Sequence, residues 1–226
     1  MEFPASHLED MRSIVAIFVC SLLAGTALAE DVPGIAKQVD EHYNHLRSLQ
    51  AEFTQIYRGS DGERTESGTL WLKKPGKMRW EYRSPKEKLF LSDGKNAWFY
   101  VPGDRQVRKT SVAKLEDLRS PLAFLLGKTK LEKELDGLSI APDMSPLQAK
   151  NVVLRGVPKA LAGRVGQVIV EVTPERLIAR IIIEEVDGSA TEYRLRDQKE
   201  DAGMADDRFR FALPPGTEVI EGEFGQ

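Results

Sequence analysis

The chain has 226 residues, of which 32 are Lys or Arg and 35 are Asp or Glu, so its formal net charge is −3. This near balance excludes a generally basic nucleic-acid-binding protein, and an apolar content of 41% excludes wholesale disorder. A single Cys cannot form an internal disulfide framework, and the length suits one compact domain with a sizeable core.

The longest apolar stretch, Ile14 to Leu28, lies near the start of the chain and directly follows a short positive segment at Arg12. It ends in Ala27-Leu28-Ala29, which places small residues at the two positions that a signal peptidase reads. A membrane anchor is the alternative. Ser21 and Gly25 interrupt the stretch, however, and it falls short of about 20 strongly apolar residues. The pattern therefore favours a cleaved leader.

This leader divides the sequence into two parts. We expect residues 1–29 to be a signal peptide, with residues 1–10 as an upstream extension, and residues 30–226 to form one mature domain. Cys20 lies in the part to be removed, so the mature domain would contain no Cys, which suits an oxidising compartment. Lipidation of Cys20 is the alternative, but it needs a small preceding residue, and Val19 stands there.

The first half of the mature domain changes from a helical to a strand-like pattern. Apolar residues first recur every three or four positions, which predicts an amphipathic helix with Ile35, Val39, Tyr43, Leu46 and Leu49 on its apolar face. From Phe53 to Tyr100 the period becomes two, which is typical of strands with one buried face. Turn pairs separate these strands and predict an antiparallel meander. The pairs are Asp61-Gly62, Pro75-Gly76, Ser84-Pro85 and Asp93-Gly94.

The second half begins with helical spacing and returns to strands. Leucines between Leu115 and Leu126 recur at helical spacing around Ser120-Pro121, and Gly127 follows them, which predicts a short helix. A weaker helix is predicted at Lys128 to Leu135. Asp197 to Asp207 is predicted to be a polar loop without core residues. The predicted strands are Asn151–Arg155, Gln167–Thr173, Leu177–Val186 and Thr191–Arg196, and a last strand with Phe209, Phe211 and Leu213 ends the sheet.

One face of the predicted sheet is apolar. Met78, Trp80 and Tyr82 alternate with charged residues, and Val168 and Val170 lie on one face of a later strand. Such a sheet must close into a barrel, pack on a second sheet or be covered by helices. Two or three short helices are too few to cover a wide curved sheet completely. The pattern therefore indicates space for an apolar guest.

Four strings of residues stand out in this region: Leu70-Trp71-Leu72-Lys73-Lys74-Pro75, Met78-Arg79-Trp80, Leu91-Ser92-Asp93-Gly94-Lys95 and Trp98-Phe99-Tyr100-Val101-Pro102. With Phe53-Thr54-Gln55 and Ser120-Pro121-Leu122, they resemble the LolA family of periplasmic outer-membrane lipoprotein carriers. The resemblance implies a mainly β fold, a single unclosed antiparallel β-barrel or half-barrel covered by a lid of short helices. It also implies a periplasmic carrier that binds the acyl chains of lipoproteins in a hydrophobic cavity and transfers them from the inner to the outer membrane.

The same resemblance implies the partners. These are acylated lipoproteins, an inner-membrane lipoprotein-releasing ABC transporter and an outer-membrane lipoprotein acceptor, with no nucleic acid, and the carrier is expected to be a monomer. It implies no cofactor and no catalytic step. The alternatives are a lipoprotein-sensing signalling module or an outer-membrane lipoprotein receptor of the same fold, and a hydrolase with an unfamiliar site. A sensing protein is expected to carry a further C-terminal domain.

Candidate site residues also come from the resemblance. In the family, a basic residue before the strand-end Pro holds the lid closed through hydrogen bonds to backbone carbonyls, and here that residue is Lys74. The family commonly has Arg, whose planar fork makes several bonds at once, so we expect Lys to let the lid open more easily. The alternative is a lysine that only solvates a strand end. The other expected ligand contacts are Tyr43, Met78, Trp80, Phe90, Leu125 and Val168, for each of which ordinary core packing is an equal alternative.

The sequence favours neither a metal site nor a catalytic site. His42 and His45 stand three residues apart beside Glu41 and could share a metal, but exposed helix polarity explains them better. Nucleophile elbows, phosphate-binding loops and dinucleotide-binding glycine motifs are absent from the sequence, so catalysis is not indicated.

For two groups of strand residues, the sequence does not decide on which side of the sheet the side chains lie. Leu89, Phe90 and Leu91 are three consecutive apolar residues, so the pattern does not tell which of them faces inward. Trp71, Phe99 and Tyr100 could form an outer apolar patch for a partner, or they could pack within the edge of the sheet.

Overall fold

The computed structural model describes residues 31–112 and 130–222, which form a single sheet of twelve strands with two helices. The proposed signal peptide, the helix expected around Ser120 and its Leu125 lie outside the described residues. The helices are α1 (Val32–His45) and α2 (Leu131–Glu134), and the strands are β1 (Ser48–Gly59), β2 (Gly62–Lys73), β3 (Lys77–Ser84), β4 (Lys88–Asp93), β5 (Asn96–Tyr100), β6 (Gln106–Ser111), β7 (Leu135–Ile140), β8 (Val152–Pro158), β9 (Val165–Val172), β10 (Ile178–Glu185), β11 (Ala190–Glu200) and β12 (Glu218–Glu221).

The strands lie in the order β12-β6-β5-β4-β3-β2-β1-β11-β10-β9-β8-β7, with β12 and β7 at the two edges. Every neighbouring pair is antiparallel except β12 with β6, which is parallel. The sheet is therefore unclosed. The predicted mainly β fold, an unclosed antiparallel half-barrel with short helices, is confirmed.

Tight turns connect the first strands, as their sequences predict. Gly62 follows Asp61 with a φ of 108°, and Gly94 follows Asp93 with a φ of 95°. These positive φ values are accessible to Gly at little cost, which explains why the chain reverses there. Strand β3 ends at Ser84, immediately before Pro85.

The sheet curls around α1. One apolar cluster combines side chains of α1 with side chains from β1–β3 and from β8–β11. Strands β3 and β8 are six positions apart in the sheet, about 29 Å if it were flat, whereas a helix with its side chains is only about 10 Å wide. We call the face toward α1 the concave face and the other the convex face. The concave cluster includes Ile35, Val39, Phe53, Leu70, Trp80, Val168, Val170 and Ile181.

The convex face carries a second, smaller apolar cluster of Ala141, Val153, Ile169 and Ile182, against which Met144 packs. Ile169 pairs with Ile182 across β9 and β10, one position away from a pair that faces α1. This alternation is the expected consequence of strand geometry, in which successive side chains point to opposite faces.

Two predicted boundaries were wrong near the helices. Helix α1 ends at His45, and Leu49, which was assigned to its apolar face, is buried in β1. The weak helix expected at Lys128 to Leu135 is present as the turn Leu131–Glu134, residues 128 and 129 lie outside the described residues, and the chain enters β7 one residue early, at Leu135. Apolar spacing alone does not show where a helix passes into a strand that faces the same core.

The C-terminal expectations were also wrong. Strand β11 continues to Glu200, into the stretch predicted to be a polar loop. The last strand is Glu218–Glu221, whereas Phe209 belongs to the short 3₁₀ turn Asp206–Phe209. Phe209 is fully buried because this segment crosses the convex face, so its apolar character reflects covering of the sheet and not pairing within it.

Candidate functional site

Four of the expected contact residues meet on the concave face. Met78, Trp80 and Val168 are buried in the cluster under α1, and Phe90 is half-buried against it. Trp80 lies opposite Phe90 across β3 and β4, which also settles the facing of β4: Phe90 points inward and Leu91 outward. Leu125 lies outside the described residues. The concave face thus presents a continuous apolar surface across neighbouring strands.

Helix α1 covers part of this surface. Pro33 stands in its first turn, where the missing N–H costs no intrahelical bond. Ile35, Ala36, Val39 and Tyr43 recur at helical spacing and are all buried. The apolar stripe of α1 therefore packs directly against the apolar face of the sheet.

Lys74 contacts the end of α1. Its Nζ donates hydrogen bonds to the backbone carbonyls of Tyr43, at 2.7 Å, and Asn44, at 3.0 Å. Carbonyls in the last turn of a helix lack intrahelical partners and carry the negative end of the helix dipole, so an ammonium is favourable there. Partial burial lowers the pKa of Lys74, and the nearby Asp201 acts in the opposite direction. A role of Lys74 in ligand release stays a prediction.

Tyr43 joins α1 to the sheet through a buried polar contact. Its hydroxyl accepts a hydrogen bond from the backbone N–H of Ile178 at 2.8 Å and donates to Oε1 of Gln198 at 3.3 Å. Gln198 in turn donates to the carbonyl of Ile178 at 2.9 Å. Burial raises the pKa of Tyr43 above its usual value, so the hydroxyl stays protonated. Sequence reasoning missed this contact, since it joins residues 135 positions apart.

Other polar side chains of α1 also reach neighbouring segments. His42 lies 2.8 Å from Oε1 of Glu200, and Arg176 donates to Gln38 at 2.6 Å. Asp40 accepts the backbone N–H of Leu131 at 2.9 Å, which ties α1 to α2. Burial raises the pKa of Asp40 to about 6. Helix α1 is thus held by a limited set of individual polar contacts in addition to its apolar stripe.

The two histidines of α1 have separate partners. His42 faces Glu200, whereas Nδ1 of His45 lies 2.6 Å from the carbonyl of Glu41 in the same helix. Within the described parts of the chain, no group of three or more His, Cys, Asp or Glu is placed to hold a metal ion.

Of the two alternatives for Trp71, Phe99 and Tyr100, packing within the protein describes them better than an outer patch. Phe99 lies opposite Phe90 on the concave side, and its neighbour Tyr100 points to the convex side because side chains alternate along a strand. Trp71 is buried beneath the guanidinium of Arg208, 4.8 Å from the ring centroid. Phe211 packs beside Tyr100, with ring centroids 6.0 Å apart. The chain therefore covers much of this convex region itself.

Within residues 31–112 and 130–222, every helix is too short or too polar to cross a membrane. The described residues form a half-barrel whose apolar inner face packs against α1 and Leu131 of α2. This architecture defines a class of proteins that can shelter an apolar ligand.

The chain belongs to the LolA family. The family model described as "Outer membrane lipoprotein carrier protein LolA" matches residues 44–212. Two similar proteins are both named outer-membrane lipoprotein carrier protein. The one from Sodalis glossinidius is 30% identical over 209 residues, covering 87% of this chain and 91% of its own. The one from Pectobacterium atrosepticum is 29% identical over 202 residues, covering 88% and 94%.

A solved structure shares the fold. The Mycobacterium tuberculosis lipoprotein LppX superposes with a TM-score of 0.50 at 13% sequence identity, covering 76% of this chain and 97% of its own. At this identity the likeness concerns the fold alone.

Proposed function

We propose that this protein is a periplasmic carrier that binds the acyl chains of lipoproteins on its concave face and transfers them from the inner to the outer membrane. The observation that carries the proposal is the apolar concave face, covered by α1, in a chain that belongs to the lipoprotein-carrier family. Tyr43, Lys74, Met78, Trp80, Phe90, Leu125 and Val168 are the proposed site residues.

The energetics of acyl chains explain why a carrier is needed. Each methylene moved out of water gains about 0.8 kcal/mol, so one chain of about sixteen carbons left in water costs about 12 kcal/mol. A lipoprotein with two or three chains therefore does not cross an aqueous gap unaided. The concave face of the carrier offers the chains an apolar surface in place of water.

Release of the acyl chains requires that the cover over the concave face open again. Helix α1 is the proposed lid, because it covers the concave face and is joined to the strands by side-chain contacts. The two hydrogen bonds from Lys74 and the contacts of Tyr43 each contribute about 1 kcal/mol net. Displacing α1 also breaks the apolar contacts of its buried stripe. Two or three acyl chains, each gaining about 12 kcal/mol by leaving water, replace these contacts when they enter, and α1 closes again when they leave.

The proposed cycle involves protein partners and no covalent step. A releasing ABC transporter loads the carrier at the inner membrane, and an acceptor receives the lipoprotein at the outer membrane. The carrier acts as a monomer and needs no cofactor. Its task is to hold and hand over a lipid anchor, which is a binding function.

The leader is part of the same proposal. Residues 1–29 are removed as a signal peptide on export, and residues 30–226 form the carrier domain. Mass spectrometry of the protein isolated from the periplasm tests this assignment. We expect a mature N-terminus at Glu30 and no lipid on Cys20, and a lipid-modified N-terminal Cys would contradict it.

A transfer assay tests the proposed function. Vesicles that hold a triacylated lipoprotein and the purified releasing transporter are incubated with ATP and the carrier. We expect a soluble complex of carrier and lipoprotein, and none with a variant lipoprotein that lacks its acylated Cys. Equal capture of the acylated and unacylated forms would contradict acyl-chain binding.

A further inference from the structure

The apolar character of the concave face changes at one end. Toward the β1–β2 hairpin, Gln55 follows Phe53 and Tyr82 follows Trp80 on the same side of their strands, so polar groups continue the apolar surface. Five side chains make up this region, which we call the polar end. They are Gln55, Glu66, Tyr82, Lys88 and Tyr193, and the strand register places Gln55 opposite both Glu66 and Tyr193, and Tyr82 opposite Lys88.

The charges of the polar end neutralise each other. Nζ of Lys88 lies 2.5 Å from Oε1 of Glu66 and 4.4 Å from the ring centroid of Tyr82. The hydroxyl of Tyr82 donates to Gln55 at 2.8 Å. Burial raises the pKa of Tyr193 to about 12, and it raises the pKa of Tyr82 as well. Both hydroxyls are therefore protonated donors at neutral pH, in a region without net charge.

Trp80 stands at the border between the apolar surface and the polar end. Its indole packs beside Phe53, with ring centroids 4.8 Å apart, and beside Tyr193, at 5.8 Å. Only 2% of the residue is exposed. Its Nε1 has no hydrogen-bond partner among the described residues. Buried N–H groups are nearly always paired, because an unpaired one loses its hydration without compensation.

The surroundings of the Trp80 ring restrict the kind of acceptor that suits its N–H. The acceptor must be an uncharged oxygen, because the Glu66–Lys88 pair leaves no net positive charge to hold an anion. It must also be attached to an apolar chain, because Trp80 adjoins the apolar surface. The ester carbonyl that links a fatty acyl chain to glycerol meets both requirements.

We propose that the border of the polar end recognises the ester carbonyls of a neutral diacylglyceryl group, with Nε1 of Trp80 as the donor. This inference rests on the proposed function. The acyl chains then extend over Leu70 and Met78, and the glyceryl group with its attached polypeptide leaves at the β1–β2 hairpin, away from Lys74. The site therefore fixes the direction in which the lipid anchor lies on the concave face.

Paired ligands and paired variants test the proposal. Calorimetric titration compares dioctanoylglycerol with its dioctyl ether analogue, which has the same chain length but no carbonyl. We expect wild type to bind the ester about fivefold more tightly, which corresponds to one hydrogen bond. Trp80→Phe should lose this preference. Trp98→Phe, which makes the same change at an indole on the convex side, should keep it.

An NMR measurement on wild type avoids dependence on the folding of a variant. The indole N–H resonance of Trp80, assigned by its loss in Trp80→Phe, should move downfield with the ester and stay in place with the ether. Equal binding of ester and ether to wild type, with an unmoved resonance, would overturn the proposed carbonyl site but leave acyl-chain binding intact. Failure of both ligands to bind would overturn the proposed function as well.

A third ligand distinguishes a neutral diacylglyceryl group from a phospholipid as the source of the ester carbonyls. Dioctanoylphosphatidylglycerol carries the same ester carbonyls together with a phosphate. We expect it to bind no more tightly than dioctanoylglycerol, because the polar end has no free positive charge. Tighter binding of the phospholipid would overturn the assignment to a neutral diacylglyceryl group.

Discussion

Each face of the sheet carries an apolar cluster, and the chain covers the two clusters in different ways. On the convex face, residues 141–151 cover the cluster around Ile169 and are held by Glu171, which accepts hydrogen bonds from Leu147 and Asn151, both at 2.7 Å. On the concave face, α1 is held by its apolar stripe and by partly exposed polar contacts such as that of Lys74.

The difference lies in how much each cover costs to remove. Glu171 is fully buried and lies 2.7 Å from the guanidinium of Arg180, which also donates to the carbonyl of Ser145 at 2.8 Å. Lifting this cover would break the three hydrogen bonds that join it to these two buried charges, and hydrogen bonds to charged groups are worth about 1.5–3 kcal/mol each. Lifting α1 exposes an apolar surface that an acyl chain covers again. The comparison teaches that one face is fixed and the other is exchangeable.

The largest expected effect is on the fixed face. Glu171→Gln removes a buried negative charge and leaves Arg180 with only the more distant Glu192, at 3.9 Å, as counterion, so we expect the free energy of unfolding to fall by about 3 kcal/mol. Urea denaturation measures this loss. Glu63→Gln, which breaks an exposed ion pair with Arg58, is the control, and it should cost less than about 0.5 kcal/mol. Equal effects of the two variants would show that the convex cover is not fixed by its buried charges.

Two matched Val variants compare the faces directly. Val39→Ala in α1 and Val153→Ala on the convex face both remove buried methyl groups, and each should lower the free energy of unfolding by about 2 kcal/mol. Only Val39→Ala weakens the closed lid, so it alone should raise the affinity for acyl chains, by about tenfold. Unchanged affinity in Val39→Ala, measured by calorimetry with dioctanoylglycerol, would contradict displacement of α1.

Substitutions of Lys74 test the polar tie at the end of α1. Lys74→Met keeps much of the apolar stem and removes both hydrogen bonds, so the amides of α1 should exchange about fivefold faster in hydrogen-exchange mass spectrometry. Lys37→Met, at an exposed position of the same helix, is the control and should leave exchange unchanged. Lys74→Arg should slow exchange, because its fork can hold several carbonyls. Equal protection of the α1 amides in wild type and Lys74→Arg would contradict the expectation that Lys holds the end of α1 less tightly than Arg.

The smallest effect is a pH dependence from Asp40. Folding raises the pKa of Asp40 from 3.8 to about 6, mainly through burial, with Glu132 adding to the rise and Lys130 and the hydrogen bond from Leu131 opposing it. The folded chain therefore binds this proton more tightly than the unfolded chain. The resulting stabilisation is complete below about pH 4 and is lost as pH rises through about 6.

Because Asp40 is partly exposed, this loss should be about 1 kcal/mol. Asp40→Asn keeps an acceptor for Leu131 and should remove the loss from the stability curve, as measured by denaturation at a series of pH values. An unchanged pH profile in Asp40→Asn would assign the dependence to another group.

The sequence predicted the local features of the fold well. Alternation placed Met78 and Trp80 on a buried face, and the Gly residues after Asp61 and Asp93 located two turns, because both signals depend on neighbouring residues alone. Leu89 to Leu91 could not be assigned by alternation, since all three are apolar. The pairing of Phe90 with Trp80 across the strands was needed to decide it.

The missed features depend on contacts between distant parts of the chain. Phe209 was assigned to a strand because an apolar residue that covers a sheet looks the same in sequence as one within it. The hydrogen bond between Tyr43 and Ile178 and the unpaired Nε1 of Trp80 depend on how α1 and the strands meet. The short edge strand Glu218–Glu221 is exposed along its length, so it shows no buried-face pattern.

Photo-crosslinking tests the central claim most directly. A photoreactive phenylalanine analogue at Met78, on the concave face, is compared in the periplasm with the same analogue at Phe211, on the convex face. The account predicts crosslinks to acylated lipoproteins from position 78 and none from position 211. Lipoprotein crosslinks from position 211 alone, or equally from both positions, would contradict binding of the acyl chains on the concave face.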